Sequence, residues 1–176
     1  ENTDLRQVLK TLPGWQTGEP AAPLKTNWEE QIGDLIEYHK KNGYGMFSKY
    51  NAFTWREHSL WPLSGTDPIR LSDLKNYEEQ RQKVIDNTES FVKGYPSNNV
   101  LLYGDRGTGK SSTVHAVLNA YAPEGLRMIE ISKSDIPDLT MIREMLADSP
   151  MKFIIFIDDL CFDSHDDSFG ELKAAI

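Results

Sequence analysis

Residues 100–112 read Val100-Leu101-Leu102-Tyr103-Gly104-Asp105-Arg106-Gly107-Thr108-Gly109-Lys110-Ser111-Ser112. A short apolar run leads into a glycine-rich turn, and the turn ends in a lysine followed by two serines. The apolar run has the length and composition of a strand, and the residues after the turn have the pattern of a helix. The pattern G-x-x-x-x-G-K-[ST] therefore stands where a phosphate-binding loop requires it, between a strand and a helix.

The chemistry of this loop favours a bound phosphate. Glycines let the backbone turn tightly and direct successive N–H groups towards one point, where the helix N-terminus adds partial positive charge. Lys110 is placed to reach the β- and γ-phosphates of a nucleotide, and Ser111 to offer its hydroxyl to Mg²⁺. A glycine-rich turn without a ligand is the alternative, and the four fixed positions disfavour it. The predicted nucleotide-binding residues of the loop are Gly104, Asp105, Arg106, Gly107, Thr108, Gly109, Lys110, Ser111 and Ser112.

The composition is that of a globular protein. The chain has 176 residues, which suits one domain with an extension, and its hydrophobic and charged fractions exclude a disordered chain. A net charge of −8 argues against broad attraction to nucleic acid or to anionic membranes. No apolar run reaches the length of a membrane span. The single cysteine, Cys161, excludes an internal disulfide framework and favours a reducing compartment, so we expect a cytoplasmic protein.

Residues 1–65 are predicted to form a helical and aromatic-rich extension. A short helix is expected over residues 4–12, and a capping box of Asn27 and Glu30 opens a second, amphipathic helix. Aromatic side chains, interleaved with cations, are dense over residues 44–61. Such a segment could stack nucleic-acid bases, or it could bury its rings against the core or a partner protein. The acidic net charge favours burial.

Residues 66–176 are predicted to form the nucleotide-binding domain. Apolar periodicity predicts helices over 77–92, after Ser111 and over 136–146, and strands at 100–103, 127–131 and 153–157. The last strand is apolar throughout, as in a central strand covered on both faces. The alternation of strands and helices implies a parallel sheet in a three-layer αβα fold. His115 falls outside the apolar stripe of its helix, so we expect it to face solvent.

Two aspartates follow the last predicted strand. In open parallel sheets ligands lie at the carboxyl ends of strands, and the glycine-rich loop follows another such end. We assign Asp158 to Mg²⁺, opposite Ser111, and Asp159 to the general base that activates water. The alternative, that two acids only begin a loop, is disfavoured by the phosphate-binding loop upstream. A GTPase would need an Asn-Lys-x-Asp motif for base recognition, which the sequence lacks.

The motif region resembles a bacterial family of AAA+-type P-loop ATPases, catalogued mainly as ATP-binding proteins of unknown function. The similarity covers most of residues 44–176 and is most specific around the phosphate-binding loop. The positions that carry it are 98–104, 106–112, Asp67-Pro68-Ile69, Tyr77-Glu78-Glu79-Gln80, Asn87-Thr88, Glu124-Gly125-Leu126-Arg127, Asp158-Asp159-Leu160 and, more loosely, Tyr44-Gly45 to Trp55.

This resemblance implies an AAA+ domain that binds ATP with Mg²⁺. The family places the segment before the phosphate-binding loop beside the adenine, which points here to Leu74 and Tyr77. Asn76 stands where the family commonly has glycine, and asparagine also tolerates positive φ. Most AAA+ proteins have Asp-Glu where this chain has Asp158-Asp159, so we expect slow hydrolysis. AAA+ domains usually work as rings, and by that analogy we expect a homo-oligomer or a protein partner.

Three functions are compatible with these motifs. The leading hypothesis is ATP binding with Mg²⁺-dependent hydrolysis, coupled to conformational change in an assembly or partner. The alternatives are a nucleotide-binding switch or scaffold with little turnover, whose partner surface would be residues 44–61, and a small-molecule kinase. Paired acids after an apolar strand suit water activation better than kinase chemistry. Neither a sensor residue nor an arginine finger is identifiable, so we expect the natural chain to continue beyond Ile176.

Overall fold

The computed structural model describes residues 28–65, 67–161, 170, 172 and 173. The chain divides into two compact units, Glu1–Asp34 and Leu35–Ile176. The helix predicted over residues 4–12 lies outside the described residues. No helix within the described ranges is long and apolar enough to cross a membrane. The second unit carries the phosphate-binding loop.

The described chain combines α-helices with a mixed sheet of four strands. Its elements are α1 (Trp28–Asn42), β1 (Ala52–Arg56), β2 (Ser59–Pro62), α2 (Glu78–Val92), α3 (Lys110–Tyr121), β3 (Leu126–Ile131), α4 (Leu139–Leu146) and β4 (Lys152–Ile157). The strand order is β2-β1-β3-β4, in which β1, β3 and β4 are parallel and β2 is antiparallel to β1. The predicted α/β fold with a parallel sheet is confirmed, with one antiparallel strand added at its edge.

Helices cover both faces of the sheet. Successive side chains of a strand point to opposite faces, so neighbouring residues of β3 belong to different clusters. Ile129 packs on one face with Ile142 of α4, whereas Met128 packs on the other face with Leu118 of α3. All four side chains are completely buried. Burial of apolar area on both faces therefore holds the three layers together.

The prediction of a strand at residues 100–103, immediately before the phosphate-binding loop, is wrong. Residues 99–103 form no strand, and the side chains of Leu101 and Tyr103 are 75% and 88% exposed. An apolar run becomes a strand only where another backbone pairs with its N–H and C=O groups. Among the described strands β4 pairs only with β3, and none pairs with residues 99–103. The missing pairing explains why the apolar pattern alone misleads here.

The sheet takes a strand from the aromatic-rich segment instead. β1 pairs in parallel with β3, and β2 lies along the other edge of β1. Phe53 and Trp55 of β1 are buried, and Phe47 and Tyr50 pack against the same cluster. Burial against the core, the favoured interpretation of this segment, is confirmed for these four rings, whereas Tyr44 and Trp61 are 56% and 53% exposed. The sheet contains strands from both sides of the division predicted at residues 65 and 66.

The hairpin between β1 and β2 turns at two residues that are not glycine. Glu57 and His58 have φ values of 50° and 55°, the left-handed conformation that two-residue hairpin turns use. Asp138, just before α4, holds this turn. Its Oδ2 atom accepts a hydrogen bond of 2.8 Å from Trp55 Nε1 and lies 2.9 Å from His58 Nδ1.

A buried guanidinium joins the segments on the amino-terminal side of β1 to β3. Arg127 is 3% exposed and forms no ion pair with any acid of the described chain. Burial lowers the pKa of Arg127, but arginine stays charged at any working pH. Its donors instead bind backbone carbonyls, from Nε to Phe47 at 2.9 Å, from Nη1 to Ala122 at 3.0 Å and Leu126 at 2.8 Å, and from Nη2 to Asn42 at 3.3 Å.

Replacement of Arg127 should destabilise the fold strongly. Arg127→Met keeps an apolar stem but leaves buried carbonyls without donors, so we expect the free energy of unfolding to fall by about 3 kcal/mol. Urea denaturation followed by tryptophan fluorescence measures this loss. The matched control is Arg143→Met on the exposed face of α4, which we expect to change stability by less than about 0.5 kcal/mol. Equal effects of the two substitutions would contradict the role of Arg127.

Candidate nucleotide-binding site

The phosphate-binding loop has the backbone that its glycines allow. Gly104 has a φ of 140°, and Gly109, the residue that precedes α3, has a φ of 84°. No atom lies within 4 Å of the position that a Cβ of Gly109 would take, so the backbone conformation, not space, requires glycine there. Thr108 Oγ1 donates to the carbonyl of Asp105 at 2.9 Å, which closes the loop on itself.

Lys110 points back into this loop. Its Nζ atom donates to the carbonyl of Gly104 at 3.0 Å and to that of Asp105 at 2.9 Å. The ammonium group therefore lies at the mouth of the loop, beside the amino-terminal end of α3. The first turn of a helix has backbone N–H groups without acceptors inside the helix. A cation and the N–H groups of a helix terminus thus belong to the same loop, a combination that suits a phosphate.

The structure brings Ser111 and Asp158 together, as the motifs predict. Ser111 Oγ lies 3.1 Å and 3.0 Å from the two carboxylate oxygens of Asp158 and donates to them. Strand alternation explains this geometry, because Asp158 follows β4 with the same parity as Phe156, whose ring packs on the α3 side of the sheet. The backbone N–H of Asp159 also donates to Asp158 Oδ1, at 3.0 Å.

This pair could hold a divalent cation. Mg²⁺ prefers oxygen ligands and takes one or two carboxylates together with phosphate oxygens and water. The hydroxyl of Ser111 and the carboxylate of Asp158 are of that kind and are already adjacent. No group of three or more His, Cys, Asp or Glu side chains that could hold a metal occurs within the described ranges. The fit therefore depends on this one pair and on a bound phosphate.

Asp159 occupies an exposed, left-handed position at the end of β4. Its φ is 49°, which is uncommon for a residue other than glycine. Its carboxylate makes no hydrogen bond or ion pair within the described part of the chain. The side chain is therefore available to solvent at the same sheet edge as Asp158. Its role as general base stays a prediction.

Leu74 and Tyr77, predicted to flank the adenine, lie on the approach to α2. Leu74 follows a short 3-10 helix over Leu71–Asp73, and Tyr77 immediately precedes α2. Asn76 and Tyr77 have φ values of 61° and 59°, so asparagine adopts the left-handed conformation expected there. Tyr77 is 52% exposed. Adenine contacts of Leu74 and Tyr77 stay a prediction.

Comparison with known families identifies the chain. The family described as "Protein of unknown function (DUF815)" matches residues 48–176, which include the hairpin, the phosphate-binding loop and both aspartates. The chain belongs to the DUF815 family. No solved structure matches it significantly.

Curated relatives of this DUF815 chain are AAA+ proteins, which confirms the AAA+ resemblance. The replication factor C large subunit of Thermofilum pendens is 36% identical over 80 residues, 45% of this chain and 19% of that protein. The large subunit of Staphylothermus marinus is 39% identical over 69 residues, 39% of this chain and 16% of that protein. The probable mitochondrial chaperone BCS1-A of Dictyostelium discoideum is 30% identical over 109 residues, 56% of this chain and 25% of that protein. The chain thus spans a quarter or less of each relative.

Two asparagines without a predicted role support the site of the DUF815 chain. Asn119 Nδ2 on α3 donates to the carbonyls of Asp67 and Ile69 at 2.8 Å and 2.9 Å. Asn87 on α2 exchanges two bonds with the backbone of Asn98, at 2.8 Å and 2.9 Å. These contacts fasten the segments before α2 and before the loop to the helices. The sequence signal for such a contact is a polar residue next to the apolar positions of a helix.

The prediction that His115 faces solvent is wrong. Its ring lies edge-on to Phe156 of β4, with the ring centroids 6.2 Å apart. His115 follows Ser111 by four residues, so both lie on the helix face that meets the end of β4. The Nδ1 atom of His115 is buried and has no hydrogen-bond partner in the part of the chain that the structure describes. An apolar stripe wider than the predicted one accounts for the error.

Replacement of His115 by phenylalanine should not lower the free energy of unfolding. Since His115→Phe removes a buried nitrogen without a partner and keeps the ring contact, we expect unfolding free energy to stay equal or to rise by up to about 1 kcal/mol. Thermal or urea unfolding measures the change. His115→Ala serves as the comparison, because loss of the ring should lower stability by about 1 kcal/mol or more. A clear loss of stability in His115→Phe would show that Nδ1 has an acceptor or donor after all.

Proposed function

We propose that the chain binds ATP with Mg²⁺ and hydrolyses it, and that this reaction drives a conformational change in an assembly or partner. The observation that carries the proposal is the contact between Ser111 Oγ and the carboxylate of Asp158. It joins the phosphate-binding loop to the end of the apolar strand β4 at one edge of the sheet. Relatives named as a replication factor subunit and a chaperone support action within an assembly.

The phosphates would bind through backbone N–H groups and Lys110. The N–H groups of the first turn of α3 have no acceptor inside the helix and would donate to phosphate oxygens, together with N–H groups of the loop. Lys110 now donates to two neutral carbonyls. An anionic phosphate is a stronger acceptor than a carbonyl, so Lys110 is expected to exchange these bonds for charge-assisted ones when a nucleotide binds.

Ser111 and Asp158 would hold Mg²⁺. When bound, the ion neutralises phosphate charge and polarises the bond to be broken. Asp159, one residue further, is the candidate base. Its carboxylate would accept a proton from the attacking water as the water oxygen bonds to the γ-phosphorus and the bond to the ADP oxygen breaks. Its exposure, and the lack of a side-chain hydrogen bond or ion pair to it among the described residues, leave it available for this step.

A nucleotide-binding switch with little turnover is the second candidate. It is favoured by Asp159 itself, because the aspartate side chain is one methylene shorter than the glutamate usual in AAA+ proteins. No contact within the described chain orients its carboxylate. A base without a supporting contact loses much of its effect on the attacking water. Binding would then be retained while hydrolysis is slow.

Loss of Lys110 should abolish tight nucleotide binding. Lys110→Ala removes the cation of the loop, and we expect ATP affinity to fall by about 10- to 100-fold, the range for a hydrogen bond to a charged group. Isothermal titration with ATP and Mg²⁺ measures the affinity. Lys83→Ala, at an exposed position of α2, is the control and should leave the affinity unchanged. If Lys110→Ala binds ATP as tightly as the parent chain, the phosphate site is assigned wrongly.

The substitution Asp159→Asn should distinguish an enzyme that hydrolyses ATP from a nucleotide-binding switch with little turnover. Asparagine keeps the size of the side chain but cannot accept the proton, so an enzyme is expected to lose about 10²- to 10⁴-fold in turnover and to keep its ATP affinity. Release of inorganic phosphate and titration of ATP measure the two quantities separately. Turnover equal to that of the parent chain would favour the switch.

A further inference from the structure

Arg106, one of the predicted nucleotide-binding residues, is a cation of the phosphate-binding loop that has no contact assigned in the proposed hydrolysis. It lies between Gly104 and Gly107 in the turn of the loop, and its side chain is exposed. Its guanidinium makes no hydrogen bond or ion pair with the described residues, not even with the adjacent carboxylate of Asp105. An arginine held in a closed turn without a partner presents five free donors to whatever the loop binds.

The position of Lys110 shows how close Arg106 is to the phosphates. Lys110 Nζ lies 2.9 Å from the carbonyl oxygen of Asp105. That oxygen and the Cα atom of Arg106 belong to one planar trans peptide and are about 2.8 Å apart. The Cα atom of Arg106 is therefore within about 6 Å of the lysine ammonium. An arginine side chain is long enough to place its guanidinium on the same phosphate group that Lys110 contacts.

The charges of the site call for a second cation there. Asp158 and Asp159 bring two carboxylates to the edge where the terminal phosphate would lie, and the phosphates of a nucleotide add further negative charge. Lys110 and the Mg²⁺ of the proposed function supply positive charge against them, and a triphosphate with two carboxylates exceeds that charge. A terminal phosphate also gains charge-assisted hydrogen bonds best from a planar, forked donor. Arg106 is the remaining cation of the loop, and Thr108 keeps its turn closed through the carbonyl of Asp105.

We propose that the guanidinium of Arg106 binds the terminal phosphate of a nucleoside triphosphate within the same chain. Arg106 thereby makes the site prefer a triphosphate to a diphosphate. The inference rests on the proposed function, since it concerns the same phosphate site. By this proposal one exposed side chain of the loop distinguishes a nucleoside triphosphate from a diphosphate.

The test compares two nucleotides on Arg106→Ala and Arg106→Lys. Isothermal titration with Mg²⁺ is carried out with the β,γ-imido analogue of ATP, which cannot be hydrolysed, and with ADP. We expect Arg106→Ala to weaken binding of the triphosphate analogue about tenfold and binding of ADP less than twofold. Arg106→Lys should lie between, because lysine keeps the charge but lacks the fork. Arg143→Ala, exposed on α4, is the matched control and should change neither affinity.

Three results would overturn the inference. An equal loss for both nucleotides would mean that Arg106 acts as a general charge, and no loss would mean that it does not contact phosphate. A loss that appears only at protein concentrations where the chain self-associates would place the contact in a neighbouring copy. If the parent chain binds neither nucleotide, the proposed function itself fails. If it binds both and the variants keep its triphosphate preference, only the role of Arg106 fails.

Discussion

The buried guanidinium of Arg127 is the constraint on which the arrangement around the sheet depends. Its bonds to the carbonyls of Phe47 and Asn42 fix the segments before β1, and its bond to Ala122 fixes the end of α3. Gly125, just before β3, lets the backbone of α1 come close, because a Cβ at Gly125 would lie 3.3 Å from the carbonyl oxygen of Lys40. One side chain of β3 thus positions both the strand that extends the sheet and the helix that begins at the phosphate-binding loop.

The candidate site lies where the amino-terminal end of α3 meets the carboxyl end of β4. α3 presents its amino-terminal end, with Lys110 and Ser111, and β4 presents its carboxyl end, with Asp158. Neither end alone holds a nucleotide with a metal ion. A helix terminus attracts phosphate but offers no ligand for the ion beyond one hydroxyl, and a lone aspartate has no phosphate to share. The hydrogen bonds between Ser111 and Asp158 show that the fold brings this helix terminus and this aspartate together.

The sequence predicts which of these residues lie together because its signals are local or follow from topology. A fixed motif locates Lys110, and the rule on strand ends locates Asp158. The partner with which a strand pairs is not a local property. For that reason the prediction of a strand at 100–103 is wrong, and the sequence does not predict that β1 joins the sheet. The orientation of His115 fails because the width of an apolar stripe depends on what packs against it. The carbonyls that surround Arg127 likewise come from distant segments that no pattern connects.

Polar contacts also join the loops at the carboxyl ends of the parallel strands. Lys133, after β3, donates to the carbonyl of Cys161, after β4. Asp138, in the same connection as Lys133, holds the turn of the β1–β2 hairpin. Asp158 and Cys161 belong to one short segment, so the segment that carries Asp158 is bonded to the loop that follows β3. The sheet edge that carries Asp158 is therefore joined to the β1–β2 hairpin through the connection that contains both Lys133 and Asp138.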